Sequence, residues 1–235
     1  MAQQKILVII PAYNEEGSVG KVVVEVKKHL PQADALVVND GSSDLTSEKA
    51  NEAGAVVLDL PFNLGIGGAM QASYKYALEK DYGIAIQVDG DGQHDPKEIP
   101  KLLQTLEDKS VDMVIGSRFI GDSEFKSSMM RRVGISIFSK VISLIVGQKI
   151  TDPTSGFRAA NRKAIQLFAV DYPQDYPEPE VLVLLHKCGL KMAEVPIVMN
   201  ERYAGKSSIT TIRSIYYMVK VLLAIFVDCF KKRPV

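Results

Sequence analysis

Short apolar runs alternate with amphipathic stretches through the first half of the chain. Ile6–Ile10, Ala35–Val38, Ala55–Leu58, Gly83–Val88 and Asp112–Gly116 are nearly continuous in apolar residues, which predicts strands buried on both faces. Between them Val19–Leu30, Leu45–Ala53, Ala69–Glu79 and Lys97–Glu107 carry the helical period, with Pro96 suited to the first turn of the last. A β-α-β-α order predicts an α/β fold with a mostly parallel sheet, helices on both faces, and ligands at the carboxyl ends of the strands. The polar motifs fall at those ends: PAYNEE, NDGSSD, NLGIGG, DGDGQH and SRF follow strands one to five in turn.

The second half has a different pattern. Met130–Gly147 is apolar with a polar stripe at Ser136, Ser139, Lys140, Ser143 and Gly147, the mark of an amphipathic helix. Arg131 and Arg132 at its start oppose the helix macrodipole, which costs about 0.3–1 kcal/mol each unless an anion offsets it; a solvated helix end is the alternative. Ile212–Phe230 is more apolar still but is broken by Lys220 and Asp228, and KKRPV follows. Its uninterrupted apolar runs fall well short of the ~20 residues a membrane span needs. The segment reads as an interfacial helix with a basic tail, or as one that packs on its own domain or a partner. The predicted division is residues 1–211 as one domain and 212–235 as a membrane- or partner-associating appendage.

Composition adds limits. The 235 residues suit one large domain, and 28 basic residues balance 28 acidic ones, so bulk charge offers nothing to nucleic acid. Cys188 and Cys229 are far apart and lack metal-ligand spacing, which suits reduced thiols in the cytoplasm. The apolar stretch of MAQQKILVIIP is a first strand rather than a signal peptide.

The most informative chemistry lies in QVDGDGQHDP. In an extended segment alternate residues point the same way, so Asp89 and Asp91 would converge on one point. Paired hard oxygens beside small glycines suit Mg2+ or Mn2+ with room for a phosphate-bearing ligand, and Gln93 or His94 could add a neutral contact. A plain polar turn is the alternative for DGDG alone. An EF-hand is excluded, because its sixth and twelfth positions here are His94 and Pro100. A dinucleotide fingerprint is disfavoured because GIGGAM follows strand three and Met70 stands at the third glycine position. Asn63 and Gly65–Gly68 read as a tight turn.

Taken in order, IIPAYNEE, VVNDGSSDLT, NLGIGGAM, QVDGDGQHDP, GSRF, TDPTSGFRAANR, EVLVLLHKCGL, AEVPI and ERYAGKSSI resemble family 2 glycosyltransferases. Within that family they are most similar to the dolichyl- and polyprenyl-phosphate branch. The resemblance runs from Lys5 to about Ile212 and implies a GT-A fold, Rossmann-like, with amphipathic C-terminal helices. It implies cation-dependent, inverting transfer of a sugar from a nucleoside diphosphate to a lipid phosphate. Pro11, Ala12, Tyr13 and Glu15 would hold the nucleotide, with Tyr13 stacking and Glu15 accepting from ribose or base. Asp40 would accept a hydrogen bond from the base. Asp89, Asp91 and Gln93 match the branch's metal-binding pattern, with Asp91 counted as catalytic and the cation acting as a Lewis acid on the diphosphate. Arg202, Lys206 and Ser207 lie where the family closes a loop over the donor, although a solvated basic turn is the alternative.

A hydroxyl acceptor needs a general base, whereas a phosphate monoester is already anionic. The resemblance places Arg118 and Arg131 on that phosphate, with Arg132 as a substitute. The chain has no tryptophan, so the QxxRW-type segment of hydroxyl-transferring members is missing and TDPTSGFR stands in its region. Asp152 is left as a base or an acceptor-orienting group; Ser155, Gly156 and Arg158 read as structural. Glu178 and Glu180 could meet sugar hydroxyls or act as first-turn acids of a helix at Val181–Cys188. The sequence therefore predicts a nucleotide-sugar donor (UDP-linked ahead of GDP-mannose) and a polyprenyl-phosphate acceptor. It also predicts peripheral attachment to the cytoplasmic face of a membrane, with a small membrane-protein partner as a candidate aid. Transfer to a glycan hydroxyl and a non-catalytic nucleotide-sugar-binding regulator are the rival readings.

Overall fold

The structure is a computed structural model that describes residues 4–121, 129–200, 220–227 and 230, with backbone alone for 129–133. The predicted boundary at residues 211 and 212 lies outside the described residues. Seven strands form one sheet in the order β3-β2-β1-β4-β6-β5-β7. They are β1 (Ile6–Ala12), β2 (Asp34–Asn39), β3 (Val56–Asp59), β4 (Ile84–Gln87), β5 (Met113–Ser117), β6 (Arg158–Asn161) and β7 (Met192–Pro196). The five strands predicted from apolar runs are all present. Only β6 runs antiparallel, between β4 and β5. The remaining pairs, β1 with β2 and β4, β2 with β3, and β5 with β7, are parallel.

Helices cover both faces, as the pattern requires. They are α1 (Val19–His29), α2 (Thr46–Glu52), α3 (Gly65–Glu79), α4 (Ile99–Asp108), α5 (Met129–Val146), α6 (Arg162–Val170) and α7 (Pro177–Lys187). Alternation along β1 divides the core. Leu7 and Ile9 face a cluster that includes α3, α5, α6 and α7 residues, and Val8 and Ile10 face one that includes α1, α2 and α4 residues. Val221 and Ile225, one helical turn apart in a helix over 220–227, are buried in the first cluster. That helix therefore packs on the domain along one face.

Two expectations need correction. Gly65–Gly68 is not a turn but the first turn of α3, which starts four residues earlier than the sequence pattern suggested. A Cβ on Gly67 would collide with the backbone of Pro173 and Gln174, so glycine there permits close packing rather than a bend. The polar stripe of α5 is also not simply a solvent face. Ser139 donates to the Ile150 carbonyl at 2.5 Å, and Ser143 accepts from the Ile150 N–H at 2.9 Å. These serines clamp the chain after α5, while Leu144 is 85% exposed.

Candidate functional site

The neighbours β1 and β4 mark the point where the strand order reverses, and their carboxyl ends open the crevice where α/β sheets bind ligands. The Val88 N–H still donates to the Ile9 carbonyl at 2.9 Å, which holds the start of the DGDGQH segment against β1. Pairing then stops, and Gly90–Asp91 form a turn. Asp89 and Asp91 thus sit on a turn beyond the strand rather than on the extended segment expected. A Cβ on Gly90 would lie 3.0 Å from the Pro11 carbonyl, and Gly92 takes the left-handed φ of 81°. Asp91 is buried, and its Oδ1 accepts from the Gln93 N–H at 2.9 Å, which folds the turn back on itself. Asp89 is 39% exposed at its side chain.

His94 lies behind this turn as a support. Its Nδ1 accepts from the Asp89 N–H at 3.0 Å, so the ring proton resides on Nε2, 3.6 Å from Asp89 Oδ2. The imidazole stacks on Phe157 at 4.9 Å between centroids and 13° between planes. Among the described residues no three His, Cys, Asp or Glu side chains gather into a metal cage. Two carboxylates with one amide oxygen, one carboxylate reaching solvent, fit a hard cation that completes its shell with phosphate oxygens and water. His94→Phe keeps the ring on Phe157 and removes the acceptor that orients Asp89. We expect Mn2+ affinity to fall about tenfold, as for other groups supporting a ligand, in a calorimetric titration with UDP.

The segment after β1 is fastened to the one after β2. Asn14, at a left-handed φ of 54°, donates its N–H to Ser42 Oγ and accepts from the Ser43 N–H, both at 2.9 Å. The Glu15 N–H donates to Thr46 Oγ1 at 2.8 Å, and Glu15 Oε2 accepts from Ser18 Oγ at 2.6 Å. Pro11 and Ala12 close β1, and the Tyr13 ring is 52% exposed, open for stacking. Asp40 differs from its expected role: its two oxygens accept from the Leu64 and Gly65 N–H groups at 2.7 and 3.0 Å and cap α3. Any base contact is left to its remaining lone pairs. Phe62 and Leu64, exposed beside Asp40 and Gly41, add apolar surface that the sequence motifs did not single out.

On the other side of the crevice Arg118 ends β5 in a buried ion pair. Its Nε and Nη2 donate to Asp152 Oδ2 and Oδ1 at 2.6 and 2.7 Å, its N–H donates to Oδ2 at 3.1 Å, and Nη2 also reaches Thr154 Oγ1 at 2.8 Å. Asp152 is completely buried, so the reading of it as a general base is corrected: its carboxylate is committed to Arg118. The Nε–Nη2 edge of the Arg118 guanidinium is thus committed to Asp152 and Thr154. Arg158 is structural as expected, donating to the carbonyls of Ser155 and Glu178 at 2.7 Å each.

Both Glu178 and Glu180 fall in the first turn of α7, which begins at Pro177, ahead of the predicted start. Burial pushes the Glu178 carboxyl above its ordinary pKa; Arg158 and Arg118 oppose that shift and Asp89 adds to it. Glu178 is thus half-buried within electrostatic reach of Asp89 and both arginines, while Glu180 is buried. Arg131 and Arg132 lie in the first part of α5, and their side chains are outside the described residues, as are Arg202, Lys206 and Ser207. The approach to that last group is visible: the Asn200 N–H donates to the Gln93 carbonyl at 2.9 Å, and Met199 bridges to His94.

Comparison with known proteins bears on the family and the fold. The family described as "Glycosyl transferase family 2" matches residues 7–168. An undecaprenyl-phosphate mannosyltransferase of Micrococcus luteus is 31% identical, covering 88% of each chain. A UDP-N-acetylglucosamine–dolichyl-phosphate N-acetylglucosaminyltransferase of Methanococcus voltae is 32% identical over 84% of this chain and 86% of its own. Among solved structures, glucosyl-3-phosphoglycerate synthase of Mycobacterium tuberculosis, in complex with Mn2+, UDP and glucosyl-3-phosphoglycerate, superposes with a TM-score of 0.74 at 20% identity. That match covers 97% of this chain and 80% of the synthase.

Proposed function

The chain belongs to glycosyl transferase family 2, and from that membership we propose that it transfers a hexose or N-acetylhexosamine from a nucleoside-diphosphate sugar to undecaprenyl or dolichyl phosphate, inverting the anomeric carbon. The observation that carries the acceptor class is the burial of Asp152 against Arg118. The carboxylate in the region where hydroxyl-transferring members keep their base has no access to a hydroxyl. A lipid phosphate needs no base, because it is anionic at neutral pH and attacks unaided. A UDP-sugar is favoured over GDP-mannose, in keeping with the UDP donor in the name of the Methanococcus voltae relative. Mg2+ or Mn2+, held by Asp89, Asp91 and Gln93, would supply Lewis-acid neutralisation of the donor diphosphate. Arg118 then contributes a fixed positive charge on the acceptor side, with Arg131 or Arg132 as its companion.

Among the described residues no helix is long and apolar enough to cross a membrane. Leu223, Phe226, Val227 and Phe230 recur at helical spacing and are exposed opposite buried Val221 and Ile225, and Lys231, Lys232 and Arg233 follow. This pattern supports peripheral attachment to the acidic cytoplasmic face of a membrane. A small membrane-protein partner would use the same apolar face.

The rival is transfer to a glycan hydroxyl, for which Glu178 is the carboxylate at hand. Incubation with labelled UDP-glucose, UDP-N-acetylglucosamine or GDP-mannose and undecaprenyl phosphate should give an organic-extractable labelled lipid with at least one donor. Glu178→Gln should retain that transfer to within about tenfold, since loss of a true general base costs about 10²–10⁴-fold. No lipid product with any donor, or a thousandfold loss in Glu178→Gln, refutes the phosphate-acceptor reading.

A further inference from the structure

The structure joins two motifs distant in sequence, TDPTSGFR and AEVPI, through one side chain. Glu194, the third residue of β7, extends over the turn that starts at Thr151. Its Oε2 accepts from the Thr151 N–H at 2.7 Å and from Thr151 Oγ1 at 2.9 Å. Its Oε1 accepts from the Asp152 N–H at 2.8 Å. One carboxylate thus spans two successive backbone amides. Because Thr151 Oγ1 donates to Glu194, the 2.6 Å contact between Thr151 Oγ1 and Ser117 Oγ has Ser117 as donor. Ser117 Oγ in turn accepts from the Phe119 N–H at 3.2 Å. The residues flanking Arg118 and the aspartate that grips it are therefore tied to the same glutamate. Burial raises the Glu194 pKa, and the hydrogen bonds from Asp152 and Thr151 work against that shift. A costly partly buried carboxylate is held where an ordinary turn would satisfy its own amides.

We propose that Glu194 is a positioning residue for acceptor recognition: it sets the 151–154 turn so that Asp152 holds the Arg118 guanidinium in place for the lipid phosphate. The proposal rests on the reading that Arg118 meets that phosphate. It distinguishes Glu194 from a plain structural tether, which would stabilise the sheet edge without selecting one substrate over the other.

Glu194→Gln preserves size but turns an amide NH2 toward backbone N–H groups and displaces the turn. With undecaprenyl phosphate and whichever of the three labelled donors supports transfer, acceptor kcat/KM should fall about 10²-fold, the cost of misplacing a binding group by about 1 Å. The donor KM and the thermal shift produced by Mn2+ with UDP should stay within about twofold of wild type. Thr151→Val removes the hydroxyl bonds to both Glu194 and Ser117 while keeping both amides, and should raise acceptor KM at least about fivefold, the worth of one of the two. It serves if Glu194→Gln fails to fold. Arg118→Lys is assayed in parallel. If it raises acceptor KM while the Glu194 and Thr151 variants lower only the melting temperature, the positioning role is overturned and the phosphate contact stands. If Arg118→Lys leaves acceptor KM unchanged, the phosphate contact falls and the inference with it.

Discussion

Asp91→Ala is expected to lower kcat/KM for sugar transfer by at least about 10³-fold, the loss of roughly 4 kcal/mol of transition-state stabilisation from a Lewis acid that no longer binds. The turn explains why the effect should be so large. Asp91 is buried, whereas Asp89 reaches solvent, so Asp91 is the carboxylate whose interaction with a cation is least screened by water. Among the described residues no cluster of acidic or imidazole side chains stands ready to replace it. Its removal also takes away the hydrogen bond from the Gln93 N–H that closes the turn, so Gln93, the third oxygen donor we propose, loses its placement. Asp91→Asn keeps that hydrogen bond and loses only the charge. It should retain the fold and more activity than Asp91→Ala, while still needing far higher Mn2+ to saturate. Initial rates across an Mn2+ titration measure both effects. Wild-type turnover of Asp91→Ala at ordinary Mn2+ would remove the metal assignment.

The aspartate turn was legible in the sequence because it is local: the two carboxylates, the glycines and Gln93 all lie within five residues that follow an apolar run. The first five strands were legible for a similar reason, since parallel strands covered on both faces must be continuous in apolar residues, as Leu7–Ile10 and Met113–Ile115 are. What remained hidden depends on contacts distant along the chain. β6 is the short run RAAN, with arginine at one end and asparagine at the other, and it is a strand only because β4 and β5 flank it. Gly65–Gly68 looked like a turn because glycine is a poor helix former. Asp40, 25 residues before Gly65, nevertheless caps that first turn and holds it helical. The fate of Asp152 was hidden in the same way. Nothing near it in sequence reveals that Arg118, 34 residues earlier, claims its carboxylate, or that Glu194, 42 residues later, fixes its amide.

Asp152→Ala is expected to destabilise the protein by about 3–5 kcal/mol, the cost of leaving one member of a buried ion pair without its partner. Against a typical domain stability of about 5–15 kcal/mol this is a large fraction. The geometry puts the expectation toward the upper end. Arg118 and Asp152 are 7% and 0% exposed at their side chains, and their two charged contacts are 2.6 and 2.7 Å long. Asp152 also accepts the Arg118 backbone N–H, so alanine strands an amide as well as a guanidinium. Urea unfolding should show a lower midpoint with little change in slope. Replacing both partners, as in Arg118→Met with Asp152→Leu, removes the stranded charge and should recover most of the midpoint, because apolar pairs commonly match buried ion pairs in stability. Activity should not return with it. Stability in this pair depends mainly on neutralising a buried charge, whereas the proposed acceptor recognition needs the guanidinium itself. A double variant that regains transfer to undecaprenyl phosphate would show the pair to be packing alone. A wild-type midpoint for Asp152→Ala would show that water reaches Arg118 after all.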